Sequence, residues 1–124
     1  YRTALRKMLA AGLRRSAGSD SPCESYDPMG AIYAAVNRRN VISCGPEGGW
    51  YPENCVTVYE AVSMYTSNAA YASFEENLKG TIKEGKLADF VVLDKDVFQV
   101  DPLTIKDIKV LRTYLGGKLV YARD

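Results

Sequence analysis

The chain has 124 residues, 47% hydrophobic and 25% charged, a composition that suits one globular domain with enough apolar surface for a core. Its formal net charge of +1 gives no general electrostatic case for nucleic acid or a membrane surface, and no run of about 18 apolar residues could span a bilayer. It contains no histidine, which excludes Ser-His-Asp and Cys-His catalysis and any imidazole-bound metal within these residues.

Leu5, Met8 and Leu9 recur at helical spacing, so residues 1–11 are expected to form a helix that Gly12 stops. No N-cap precedes it, and a chain that opens inside a helix reads as cut from something longer. Leu13 to Ala17 is expected to be a short strand. Arg14 and Arg15 suit a buried parallel strand badly, so either one faces a polar cleft or the strand frays there. Gly18-Ser19-Asp20-Ser21-Pro22 follows, and each residue favours a turn for its own reason. Two readings of Asp20 stand at this point. Its carboxylate closes an Asx-turn, or it is an acid on a strand-to-loop turn, where α/β enzymes carry catalytic groups.

Asp27-Pro28 opens the next helix as N-cap and N1, and Met29, Ile32, Tyr33 and Val36 line its core face. Asn37 to Asn40 ends it. Residues 41–56 form a long Gly/Pro-rich loop in which Trp50 is expected to anchor by packing. Glu47 and Glu53 lie in this loop, where a cleft-facing role competes with plain solvation. Thr57-x-x-Glu60 is a capping box that starts a further helix, with Val58, Ala61, Val62 and Tyr65 on one face. Thr66-Ser67-Asn68 should break it and cap a short helix near 68–74, and Ser73-x-x-Glu76 should cap one more turn.

After Gly80 the pattern turns to β. Thr81-Ile82-Lys83 and Phe90 to Leu93 are strand-like, with Glu84-Gly85 turning between them. Asp101-Pro102 starts a turn. Residues 109–115 and 118–122 flank Gly116-Gly117, a two-residue hairpin signal. Cys23, Cys44 and Cys55 match no short metal spacing, and an odd count argues against a disulfide scaffold; free thiols in a reducing cytoplasm are expected. Asp89 and Asp94 flank a strand and are expected to cap its ends. Lys83, Lys86, Lys106, Lys109 and Lys118 read as edge protection and solubility, and the nine tyrosines as core and interface packing.

Several of these stretches together resemble the amidohydrolase superfamily. Gly18 to Pro22, the Asp27-Pro28 helix, and Thr57 to Val62 with Tyr65-Thr66 and Asn68-Ala69-Ala70 are similar to the end of its barrel. The run Gly80 to Asp94 is similar to the signature that follows the barrel, and Thr113 to Tyr121 to the closing hairpin. The Gly-Ser-Asp-Ser-Pro turn and Trp50-Tyr51-Pro52-Glu53 point to family 3, the group similar to N-substituted formamide deformylase.

The resemblance implies an α/β fold: the C-terminal end of a (β/α)8 metal-dependent hydrolase barrel plus part of a small β-sandwich. It divides the chain into residues 1–80, the last barrel strand with flanking helices, and 81–124, the sandwich portion. It further implies that Asp20 binds a divalent metal, zinc first, and moves protons as general base and acid in hydrolysis of C–N, amide-like bonds. The family's His-x-His and its later histidines cannot exist here, so this piece alone is expected to hold no metal and to be inactive. The partners implied are the remainder of the barrel, a small amide-like substrate and further copies of the chain, with neither nucleic acid nor membrane. The competing reading is a non-catalytic structural or oligomerising module, or a degenerate homologue.

Overall fold

In the computed structural model, residues 4–42 and 45–124 are described. Helix α1 (Leu5–Ala10) half-buries Leu5, Met8 and Leu9, the face their spacing defines. It ends in a Schellman motif: Gly12 N–H donates to the Leu9 carbonyl and Leu13 N–H to that of Met8, with Gly12 at φ +78°. Residues 1–3 of the expected helix and Cys44 of the loop lie outside the described residues.

The strand expected at Leu13–Ala17 is not formed; residues 13–19 carry no regular secondary structure. A strand exists through ladder bonds to a neighbouring strand, and local sequence cannot supply them. This segment is tied instead to a helix, through Ala17 N–H to the Met64 carbonyl at 3.1 Å. Arg14 lies over the Tyr71 ring, 4.5 Å from its centroid, and Arg15 donates to the Met8 sulfur.

Helix α2 (Pro28–Asn37) starts as its sequence dictates. Asp27 Oδ1 accepts from Met29 N–H at 2.9 Å, and proline fills N1. Met29, Ile32 and Tyr33 are buried, and Arg38 closes the helix in the left-handed region. The loop beyond contains a 3-10 turn, Pro52–Asn54. Trp50 does not anchor this loop by its ring, which is 58% exposed and meets Tyr51 edge-on. Its backbone does the anchoring: Trp50 N–H donates to the Arg38 carbonyl, and the Arg38 Nε–H donates to the Trp50 carbonyl. Gly49 is required there, because a Cβ would sit 2.2 Å from the Asn37 carbonyl oxygen.

Helix α3 (Val58–Tyr65) carries the complete capping box, with Thr57 Oγ1 accepting from Glu60 N–H and Glu60 Oε2 from Thr57 N–H. Helix α4 (Ser67–Ala72) follows directly. Thr66 stands at its N-cap but donates its hydroxyl back to the Val62 carbonyl, so the expected side-chain cap is not made. One more turn does form before Gly80, with Leu78 and Lys79 N–H donating to the Glu75 carbonyl, but Ser73 does not cap it, since its hydroxyl bonds the Ala70 carbonyl and Glu75.

The stretch expected as a strand at 81–83 forms none: Thr81 is a bend and residues 82–83 carry no regular secondary structure. Strands β1 (Phe90–Leu93), β2 (Val110–Leu115) and β3 (Lys118–Ala122) form an antiparallel sheet in sequence order. Gly116 and Gly117 both have positive φ, the requirement of a type I′ hairpin turn. Phe90 and Tyr114 are cross-strand partners with stacked rings. Asp94 accepts from Lys109 N–H and Asp89 from Gly116 N–H, so both cap strand ends. A 3-10 helix, Pro102–Asp107, is capped by Asp101 and leads into β2.

One core joins these parts. Met29, Ile32 and Tyr33 of α2 and Ala61 and Met64 of α3 meet Val56, Val97, Ile105 and Ile108. The last three come from beyond residue 80, so apolar burial connects the sheet region to the helices; each large side chain buried contributes roughly 1.5–3 kcal/mol.

Candidate functional site

Asp20 lies where the irregular segment 13–19 turns towards α2. It is exposed and has φ +52°, a left-handed conformation that aspartate tolerates better than most residues. The turn is closed by its backbone: Cys23 N–H donates to the Asp20 carbonyl at 2.9 Å. The carboxylate therefore closes no Asx-turn. Among the described residues it has no hydrogen-bond or ion-pair partner.

Five of the seven other aspartates behave differently, while Asp107 and Asp124 are also exposed and, among the described residues, without a side-chain bond. Asp27, Asp89, Asp94, Asp96 and Asp101 each accept a backbone N–H at 2.7–2.9 Å. Those five are structural caps, and Asp20, in an equally turn-like sequence, is not one. Glutamates with defined work are also structural. Glu60 binds Thr57 and takes both Arg6 contacts, at 2.8 and 2.9 Å; the Thr57 backbone bond is the chief cause holding its carboxyl below the usual range. Glu75 is held low by Lys79 and Ser73.

Glu47 and Glu53 are exposed, and Glu53 accepts from the Asn54 amide. Cys23 is an exposed free thiol. Cys55 is half-buried, and burial pushes its thiol up, with Glu53 adding to the rise and Arg38 opposing it.

The residues present do not fit a resident metal ion. The donor set lacks histidine, and among the described residues no three His, Cys, Asp or Glu side chains converge. Asp20 brings one carboxylate, where closed zinc sites use three or four protein ligands.

Two concavities flank these elements. A polar cavity of about 510 Å³ is lined by Arg14, Lys79, Lys83, Lys86 and Glu76 among others. Lys79 is paired with Glu75, and Lys86 donates to the Glu76 and Lys79 carbonyls, so Lys86 acts as a clamp on the turn rather than as edge protection. An apolar groove of about 560 Å³ runs between α2, α3 and the sheet, with Ile32, Val62, Tyr65, Phe90 and Val120 in its walls. Asp20 lines neither. No helix among the described residues is long and apolar enough to cross a membrane.

Comparison with known proteins gives a consistent picture. The profile of the Amidohydrolase family matches residues 1–121. N-substituted formamide deformylase of Arthrobacter pascens is 40% identical over 119 residues, covering 96% of this chain and 21% of that protein. The YtcJ protein of Bacillus subtilis (strain 168) is 36% identical over 122 residues, covering 98% of this chain and 23% of that protein. Among solved structures, E. coli guanine deaminase superposes with a TM-score of 0.71 at 23% identity, over 97% of this chain and 30% of that one, a likeness that carries the fold alone. The chain thus spans between a fifth and a quarter of the length of these two curated relatives. On the match over residues 1–121, the chain belongs to the amidohydrolase family.

Proposed function

We propose that this chain is the C-terminal part of a metal-dependent hydrolase of C–N, amide-like bonds. In this reading it forms the end of a (β/α)8 barrel and part of a small β-sandwich. The observation that carries the proposal is the free carboxylate of Asp20, in a family whose relatives include a deformylase by name. A carboxylate left without a structural task at a loop tip is available for chemistry.

Asp20 then does two jobs in the longer protein. It would be one ligand of a divalent ion, zinc by preference, whose other ligands would lie outside these residues. That ion, when bound, makes a water acidic enough to be a nucleophile near neutral pH. With the site completed by the rest of the protein, the Asp20 carboxylate would be the group that holds and moves a proton, as general base and then general acid. The chain alone has too few donors for this chemistry and is inactive in this reading. Exposed apolar side chains on the sheet, Val91, Leu119 and Val120 among them, support a further part of it: the rest of the polypeptide, or another copy of the chain, covers them.

Two measurements test the proposal. The open reading frame should encode a His-x-His motif after a strand-like run upstream of Tyr1. The full-length product should release amine or ammonia from formamide-type or cyclic C–N substrates. A reading frame that starts near Tyr1, or a full-length product without any C–N hydrolysis, would overturn it.

A further inference from the structure

We infer that the donors within these 124 residues do not fit the divalent-metal centre implied by the family, which is not complete within them. The inference rests on the reading of Asp20 above and extends it to what the chain can bind by itself.

The donors nearest to Asp20 in sequence are Cys23 and Glu24. All three are exposed and all three are described, yet they do not converge on a common point. The hydrogen bond that closes the turn runs from Cys23 N–H to the Asp20 carbonyl and engages neither side chain. Several of the more distant carboxylates are committed elsewhere, Asp27, Asp94 and Asp101 to backbone N–H groups, Glu60 to Arg6 and Thr57, and Glu75 to Lys79, and the uncommitted ones, among them Glu47, Glu84, Asp107 and Asp124, do not converge with Asp20. Recruiting any of the committed ones would undo a helix cap, a strand end or an ion pair. With no histidine to add, and no three such donors converging among the described residues, a zinc site of three or four ligands does not close on Asp20 there.

Equilibrium dialysis of the 124-residue chain against zinc, read by elemental analysis, tests this. At about 1 µM free zinc the occupancy should stay below roughly 0.1 per chain, because one carboxylate falls short of the ligand count that tight sites need. The Asp20→Asn variant should give the same value within about twofold, since the wild-type chain has no site on that residue to lose. One tightly bound equivalent overturns the inference, whether the variant removes it, which places a complete site on Asp20, or leaves it, which places one elsewhere. The outcome is separate from the hydrolase reading, which stands or falls on activity of the full-length protein.

Discussion

Gly80 opens the run that resembles the post-barrel signature, and its structural demand can be measured. It has φ +89°, and a Cβ built there would lie 2.6 Å from the Ala70 Cβ, 3.1 Å from the Ser67 Cα and 3.2 Å from the Thr66 carbonyl oxygen. All three belong to α4 or its N-cap, whose backbone cannot yield as a flexible side chain would. Gly80→Ala therefore combines a left-handed backbone penalty of about 1 kcal/mol with overpacking of about 1–3 kcal/mol, for a loss of roughly 2–4 kcal/mol. Gly85 is the internal control, since it has φ +83° but nothing within 4 Å of a built Cβ. Gly85→Ala should lose only the backbone part, about 1 kcal/mol. At this chain length each kcal/mol shifts Tm by roughly 3–5 °C, so the expected drops are about 10 °C for Gly80→Ala and about 4 °C for Gly85→Ala. Thermal unfolding followed by circular dichroism reads both. Equal drops would show that the approach to α4 carries no cost and would refute the packing argument.

Other outcomes follow from the same contacts. Thr57→Ala removes the hydroxyl that accepts from Glu60 N–H and should cost about 1 kcal/mol in denaturant unfolding. Glu60 has its carboxyl lowered, first by the Thr57 backbone bond, so its stabilisation is complete above the ordinary glutamate pKa of about 4.3 and fades as pH falls through the lower folded value. The stability gap between wild type and Glu60→Gln, followed from pH 7 to 3, should accordingly narrow at the acid end; a gap that widens there contradicts the assignment. Gly49→Ala would drive a Cβ into the Asn37 carbonyl, break the Arg38–Trp50 exchange, and speed proteolysis within 41–56 well before global unfolding. Asp20→Gly should leave stability unchanged or raise it by up to about 1 kcal/mol, because φ +52° suits glycine and the carboxylate holds nothing.

What could be read from the sequence was what residues do to their own neighbours. Asp27-Pro28, Thr57-x-x-Glu60, Gly12 and Gly116-Gly117 act over three or four residues, and each makes the bonds its type requires. The strand expected at Leu13–Ala17 does not form, because pairing is a property of neighbours and the segment bonds to Met64 instead. The same limit applies at 81–83, where the β-branched Thr81 and Ile82 meet no ladder and form no strand. Thr66 and Ser73 failed as caps because a hydroxyl near a helix end can also bond back to a carbonyl of the preceding turn, as both do. Asp20 was visible as a turn residue and a candidate acid. That its carboxylate stays free could not be seen, because Gly-Ser-Asp-Ser-Pro satisfies an Asx-turn as well as a carbonyl-closed turn.

The most direct test of the central claim compares full-length wild type with Asp20→Asn, measuring kcat/KM on a C–N substrate beside Tm. A positioned acid and base with a ligand role should be worth at least about 10³ in kcat/KM, at a Tm within about 2 °C of wild type. Activity retained within tenfold in Asp20→Asn would remove Asp20 from the chemistry and contradict the account.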